Sequence, residues 1–406
     1  MSVNADIRPT RSVPVAAWWA GVAIVLVAAN LRPAVVGVSP LLSEIQASER
    51  LTATAAGILT ALPVLCFGLL APAAPLLARR LGIERALLAA LVLLTVGFLV
   101  RSSGPLAALF AGTVVIGSAI AIGNVLLPSL IKRDFAHRTG MMTGLYTMAI
   151  AGGGALAAGI TVPVAQAAGL GWRAALAGWA LFAVVALVCW LPRVRRAPRP
   201  ERVGAARVGG LWRDAVAWQV TVYMGLQSLG YFAVTAWLPA LLVDRGYDPV
   251  VAGWLLSLST VAGIAGATVA PMLATRGRRQ RGLAVGITAI AAIGLLGVLA
   301  PIGVEPVAVL LLGFAQSAAL GLSLTLVAVR APDAAQAAQL SGMAQTVGYV
   351  LAAAGPFAVG ALHDVTGGWT VPLLLLLALL AVQGTAGVLA GRDRQVRRHA
   401  ALPADA

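Results

Sequence analysis

Ala29-Asn30-Leu31-Arg32-Pro33-Ala34 lies in the middle of an apolar run from Val15 to Ile45. Its fourth residue is a guanidinium where a membrane-spanning helix normally holds no charge. A charged side chain at the bilayer centre costs about 2.5 to 3.5 kcal/mol on insertion scales, and arginine does not shed its proton to escape that cost. Such residues mark functional sites by default. Five donors in a planar fork suit a small anion or a planar, electron-rich ligand.

The rest of the chain explains why this run is read as a membrane span. Of 406 residues, 60% are apolar and only 11% charged, against about a quarter charged in soluble proteins. Mean hydropathy is +0.92. The apolar stretches are near-continuous and rich in Ala, Leu, Val and Gly, so they read as spanning helices and not as barrel strands. Twelve are expected, over about 15–45, 52–78, 84–102, 105–131, 139–166, 172–192, 214–243, 249–275, 282–300, 305–329, 337–362 and 369–390. Arg8 and Arg11 before the first run resemble the start of a signal peptide. The run continues past Arg32-Pro33 to Ile45, too long for a cleaved segment, and stays as the first helix.

The net charge of +15 has a membrane explanation. With the N-terminus inside, 24 of the 29 Lys and Arg residues fall in cytoplasmic segments, and only Arg50, Arg101, Arg173 and Arg245 remain outside, with Arg32 in the membrane. This is the positive-inside asymmetry, and it places both termini in the cytoplasm. Basic loops facing anionic lipid need no nucleic-acid partner. The expected partners are the lipid bilayer and a small-molecule substrate, with the monomer as the working unit.

The chain divides at Pro192-Arg193-Val194-Arg195-Arg196-Ala197-Pro198-Arg199-Pro200. The expected organisation is a six-helix unit over 1–192, a basic linker over 193–213 and a second six-helix unit over 214–406. An offset of 196 aligns Gly57 with Gly253, Pro75 with Pro271 and Arg80 with Arg276; an offset of 202 aligns Gly153 with Gly355. Two related sets of six helices form the architecture of the major facilitator superfamily, whose substrate site lies near the bilayer midplane between the bundles. The expected fold class is therefore an all-α membrane protein with twelve spans in two pseudo-symmetric bundles. The loop Arg79-Arg80-Leu81-Gly82-Ile83-Glu84-Arg85 resembles that superfamily's Asp-Arg-x-Gly-Arg-Arg motif, with Arg79 where the acidic residue belongs.

Further motifs narrow the resemblance. Asn30-Leu31-Arg32-Pro33, Gly123-Asn124-Val125-Leu126-Leu127-Pro128, Met224-Gly225-Leu226-Gln227-Ser228 and Ser341-Gly342-Met343-Ala344-Gln345 together resemble the cyanate permease and 2-nitroimidazole transporter family. The resemblance spans both halves. It implies a bacterial inner-membrane permease for a small, planar, polar or anionic compound, working by alternating access.

Arg32 is the first candidate anchor, with Asn30 beside it. Because Pro33 has no N–H, it frees the Ala29 carbonyl and prevents a regular helix at this point. Asn30 sits about 200° round a helix from Arg32, so the two share a cavity only if the turn is distorted. Tyr223, Gln227 and Tyr231 recur at a spacing of four on one face of the seventh helix, and Gln345 and Tyr349 repeat that spacing on the eleventh. Asn124 is a mid-membrane amide on the fourth helix, and Gln316 is its counterpart on the tenth. Tyr146, Met142, Trp237 and Trp254 are candidate flat walls. Each amide is otherwise helix glue, and each Trp an interface anchor.

No Gly-Lys-Ser/Thr loop, His-Glu-x-x-His or Gly-x-Ser-x-Gly is present, so neither ATP-driven pumping of that kind nor catalysis is expected, and no cofactor or metal. Cys66 and Cys189 lie in different helices without metal-type spacing. Acidic residues fall near helix ends, so a mid-membrane carboxylate relay is not expected. Uniport, exchange, or symport with a proton carried by the substrate remain. The rival reading is a binding-only membrane sensor, for which the linker 193–213 and the tail 391–406 leave little room.

Overall fold

The computed structural model of the chain describes residues 15–169, 171–195, 211–276, 280–300 and 303–397. The predicted linker and tail fall largely outside the described residues. Among the described residues there are only helices and turns, and twelve segments are long and apolar enough to span a membrane.

Proline shapes the first span. α1 (Val15–Ala29) stops four residues before Pro33, and residues 30–32 form a turn. Asn30 N–H and Leu31 N–H reach back only three residues, to Val27 and Ala28. The chain then makes α2 (Pro33–Val36), a 3-10 turn at Ser39–Leu41 that contains Pro40, and α3 (Leu42–Glu49). The second span, expected as one helix over 52–78, is α4 (Ala53–Leu70) followed by α5 (Ala73–Leu81), with the break at Pro72.

The other spans are single helices. They are α6 (Ile83–Arg101), α7 (Leu106–Asp134), α8 (Thr139–Ala168), α9 (Gly171–Arg195), α10 (Ala215–Asp244), α11 (Pro249–Thr275), α12 (Gln280–Leu299), α13 (Glu305–Arg330), α14 (Ala334–Thr366) and α15 (Thr370–Ala390). α1–α9 make one six-span bundle and α10–α15 the other.

The offsets in the sequence reappear as matched contacts. Gly57 of α4 packs against the backbone of Pro356 and Phe357 on α14, and Gly253 of α11 packs against the Ala158 carbonyl on α8. Both contacts cross between bundles, and both lie toward the helix ends away from the chain termini. Gly153 packs on the Ala29 carbonyl and Gly355 on the Leu229 carbonyl, each inside its own bundle. A Cβ at any of the four would run into backbone, so the helices approach as closely as glycine allows.

That end of the molecule is sealed. Asp364 of α14 accepts from Ala53 N–H at 2.8 Å, Thr54 N–H at 2.7 Å and the Thr54 hydroxyl at 2.6 Å, capping α4 from the opposite bundle. Trp254 Nε1 donates to the Gly159 carbonyl at 3.0 Å, again between bundles. Toward the end carrying the termini the bundles diverge. A Cβ on Gly140 or Gly144 would meet nothing within 4 Å, and Met141 and Met148 are 55% and 57% exposed. Polar pairs near that end stay within one bundle: Arg133 with Glu84, Arg193 with Asp134, and Arg330 with Gln280.

Removing the carboxylate by Asp364→Ala is expected to loosen the sealed end. Losing an end cap costs about 0.5–2 kcal/mol, so the sealed form loses about 2- to 30-fold in population. Spin labels at Ser103 and Val365, one on each bundle, should show a longer-distance population in the variant; an unchanged distance distribution means Asp364 is no latch.

Candidate functional site

Between the bundles lies a cavity of about 970 Å³, counting the space that opens to solvent. Arg32 contributes the cation, carried into the cavity by the turn that Pro33 forces. Gly154 leaves room for it, since a Cβ there would sit 3.3 Å from Arg32 Cβ. α8 supplies Thr147, Ile150 and Ala151; α10 supplies Gln227, Ser228, Tyr231, Phe232 and Thr235. α11 and α13 add the hydroxyls of Ser259, Thr260 and Ser317 and the amide of Gln316, and α14 adds Tyr349.

The guanidinium faces aromatic rings instead of acids. Its carbon lies 5.4 Å from the Tyr231 ring centre and 5.6 Å from that of Phe232. Phe232 is part of a cluster with Tyr231 at 5.1 Å, Phe67 of α4 at 6.2 Å and Tyr349 at 6.4 Å, and Phe67 stands edge-on to Tyr349 at 5.8 Å. The Arg32 side chain makes no hydrogen bond or ion pair with any described residue, and its buried Nη1 has no partner. No Asp, Glu, Lys or His lines the cavity among the described residues.

Four of the eight residues expected at the site line this cavity: Arg32, Gln227, Tyr231 and Tyr349. Gln227 Nε2 donates to the Ser228 hydroxyl at 2.6 Å. Tyr146, half-buried, lies one turn from Ile150 toward the open end and outside the cavity lining. Gln345 lies one turn from Tyr349 toward the same end and donates to the Ser341 hydroxyl at 2.8 Å. Asn30 is not in the lining. Its Nδ2 donates to the carbonyls of Leu26 at 2.9 Å and Phe182 at 3.3 Å, tying α1 to α9. Asn124, half-buried on α7, does not line the cavity either.

The stripe on α10 also divides. Tyr223 packs against Gly387 of α15, away from Gln227 and Tyr231. Trp237 Nε1 donates to the Pro356 carbonyl at 2.8 Å, so neither it nor Trp254 forms a cavity wall. Phe67 and Phe232 escaped the sequence reading, because a phenyl ring in an apolar span carries no local mark. Arg101 did too: expected at a surface, it is 1% exposed, with Nη1 donating to the Ala34 carbonyl at 2.7 Å. It thereby holds the irregular segment that carries Arg32.

A membrane protein of twelve spans, two bundles related by an internal repeat and one mid-membrane cavity between them invites comparison with known carriers. Residues 18–356 match the sequence profile of the Major Facilitator Superfamily. The chain belongs to this superfamily. It is 41% identical to the 2-nitroimidazole transporter of Escherichia coli (strain K12) over 376 residues, 92% of this chain and 95% of that one. It is 31% identical to the cyanate transport protein CynX of the same organism over 365 residues, 88% and 94% of the two chains. The inward open conformation of the xylose transporter XylE from E. coli shares the fold at a TM-score of 0.74 and 13% identity, covering 95% of this chain and 98% of that one. The superfamily fold and these relatives make the protein a transporter.

Gly153→Val is expected to cost about 1–3 kcal/mol, because its side chain would displace the Ala29 carbonyl and with it the turn holding Arg32. Gly152→Val, next to it but with open space around it, serves as the control. Thermal unfolding of the two purified variants should separate them by several degrees; equal midpoints would show that the close approach at Gly153 is not needed.

Proposed function

We propose that the cavity carries a small, planar, polar or anionic compound, a cyanate-like anion or a nitroimidazole-like heterocycle, with Arg32 as its anchor. The observation that supports this most is the guanidinium left without a protein partner. Arg32 is half-buried with its Nη1 shut off from solvent, and a ligand oxygen or ring nitrogen accepting from the guanidinium would satisfy that donor. Gln227, Tyr231 and Tyr349 supply the contacts nearest to it. Tyr146 and Gln345 lie on the approach from the open end, while Asn30 ties α1 to α9. The names of the two Escherichia coli relatives, one for a nitroimidazole and one for cyanate, favour the same size and shape of cargo.

The orientation belongs to this reading as well. Basic residues concentrated at the terminus-bearing end favour both termini in the cytoplasm of a bacterial cell, with the open face inward. The units are residues 1–192 and 214–406, joined by the basic segment 193–213 and working as a monomer in the inner membrane.

Thermal stabilisation by cyanate and 2-nitroimidazole tests the anchor. A ligand at a hundredfold excess over Kd adds about 2.7 kcal/mol of stability to wild type. Arg32→Gln removes hydrogen bonds to a charged group worth about 1.5–3 kcal/mol, so Kd for cyanate should weaken about 10- to 100-fold. Equal stabilisation of both proteins would sink the proposal.

A further inference from the structure

We infer that the protein is an exchanger: its loaded form switches between faces, and its empty form is held back by the bare charge of Arg32. This rests on the anion reading above and adds a mode of transport to it. Alternating access requires the cavity to close at both ends on the way between faces. In the open form Arg32 has no acid, no hydrogen-bond acceptor and two aromatic neighbours. Closing the cavity around it with no ligand would strand a desolvated cation, which is among the most costly states a protein interior can adopt. The surroundings hold no acid to discharge it: the lining beside it offers phenols, hydroxyls and amides, which are dipoles and not counter-charges.

A bound monoanion changes the sum of charges in the closing cavity from one to zero and supplies acceptors for the guanidinium fork. The loaded form then closes as a neutral unit. After release on one side, the carrier returns only when another anion binds there. No proton is needed at any step.

Arg101 sharpens the argument because it also lacks an acid. It is sealed inside one bundle, bonded to the Ala34 carbonyl and set over the Phe98 ring at 5.2 Å, and it does not line the cavity. Its cost is therefore common to loaded and empty forms and favours neither. Arg32 alone has surroundings that change with the cycle.

The test is flux in proteoliposomes with radiolabelled cyanate and, as an aromatic monoanion, 4-hydroxybenzoate. The buffer is gluconate, to exclude chloride as a counter-substrate, and potassium with valinomycin clamps the membrane potential. Uptake into vesicles preloaded with the same unlabelled anion should exceed uptake into empty vesicles by at least about tenfold, each tenfold corresponding to about 1.4 kcal/mol of barrier. Equal initial rates in the two vesicle sets overturn the exchange inference while leaving the anion reading standing. No protein-dependent uptake in either set overturns both. A second readout needs no flux: with fluorescent dyes at Ser103 and Val365, the rate at which the empty protein switches between faces should rise at least about tenfold in Arg32→Gln and stay low in Arg32→Lys. A switching rate the same in wild type and folded Arg32→Gln counts against the inference.

Discussion

A proline has no N–H to give, and the consequences of that absence at Pro33 reach through the molecule. The Ala29 carbonyl loses its helical partner, α1 ends, and the next three residues turn. The turn swings Arg32 into the space between the bundles and leaves a carbonyl exposed on α1, against which only a glycine could pack; Gly153 is that glycine. Arg101 reaches in from α6 to bond the carbonyl of Ala34 just beyond. Two arginines and two glycines are thus arranged around one irregular segment of chain. The site is a by-product of a helix that cannot continue.

The internal repeat explains what stands across from Arg32. The matched contacts of Gly153 and Gly355 pair Ala29 with Leu229, an offset of 200 residues. The same offset carries Arg32 onto Phe232, the ring over which its guanidinium lies. One bundle presents a cation and the other a π face at equivalent positions. The offset of 196 that aligns Gly57 with Gly253 would carry Arg32 onto Ser228 instead, because the broken first span uses its residues differently from the regular α10.

Much of the architecture was legible because hydropathy reports directly on burial in lipid: all twelve spans lie where the apolar runs predicted, with ends shifted by a few residues. The breaks at Pro33 and Pro72 follow from chemistry visible in the letters, although the second was read as continuous. Site residues were legible only where polarity was conspicuous. Arg32 announced itself by charge, and the spacing of four grouped Gln227 with Tyr231. Spacing says that residues share a face, not which neighbour that face meets, and in a helix apolar all round nothing else distinguishes the faces. Tyr223 was lost to α15 for that reason; Gln345 shares the face of Tyr349 but lies one turn nearer the open end, and Asn30, on the far side of the turn from Arg32, bonds to α9. Phe67 and Phe232 could not be singled out at all, since their role comes from where α4, α10 and α14 converge.

The polar pairs near the open end have a mechanical meaning. Arg133 with Glu84, Arg193 with Asp134 and Arg330 with Gln280 each join helices of one bundle and never reach across. Among the described residues, these pairs travel with their own bundle, so a tilt of one bundle against the other need break none of them. What resists the swing is gathered at the other end, where Gly57 and Gly253 meet opposing backbone and Asp364 caps α4 from across the interface. The end that opens therefore moves without parting these pairs, and the end that closes does so on a carboxylate and on glycine.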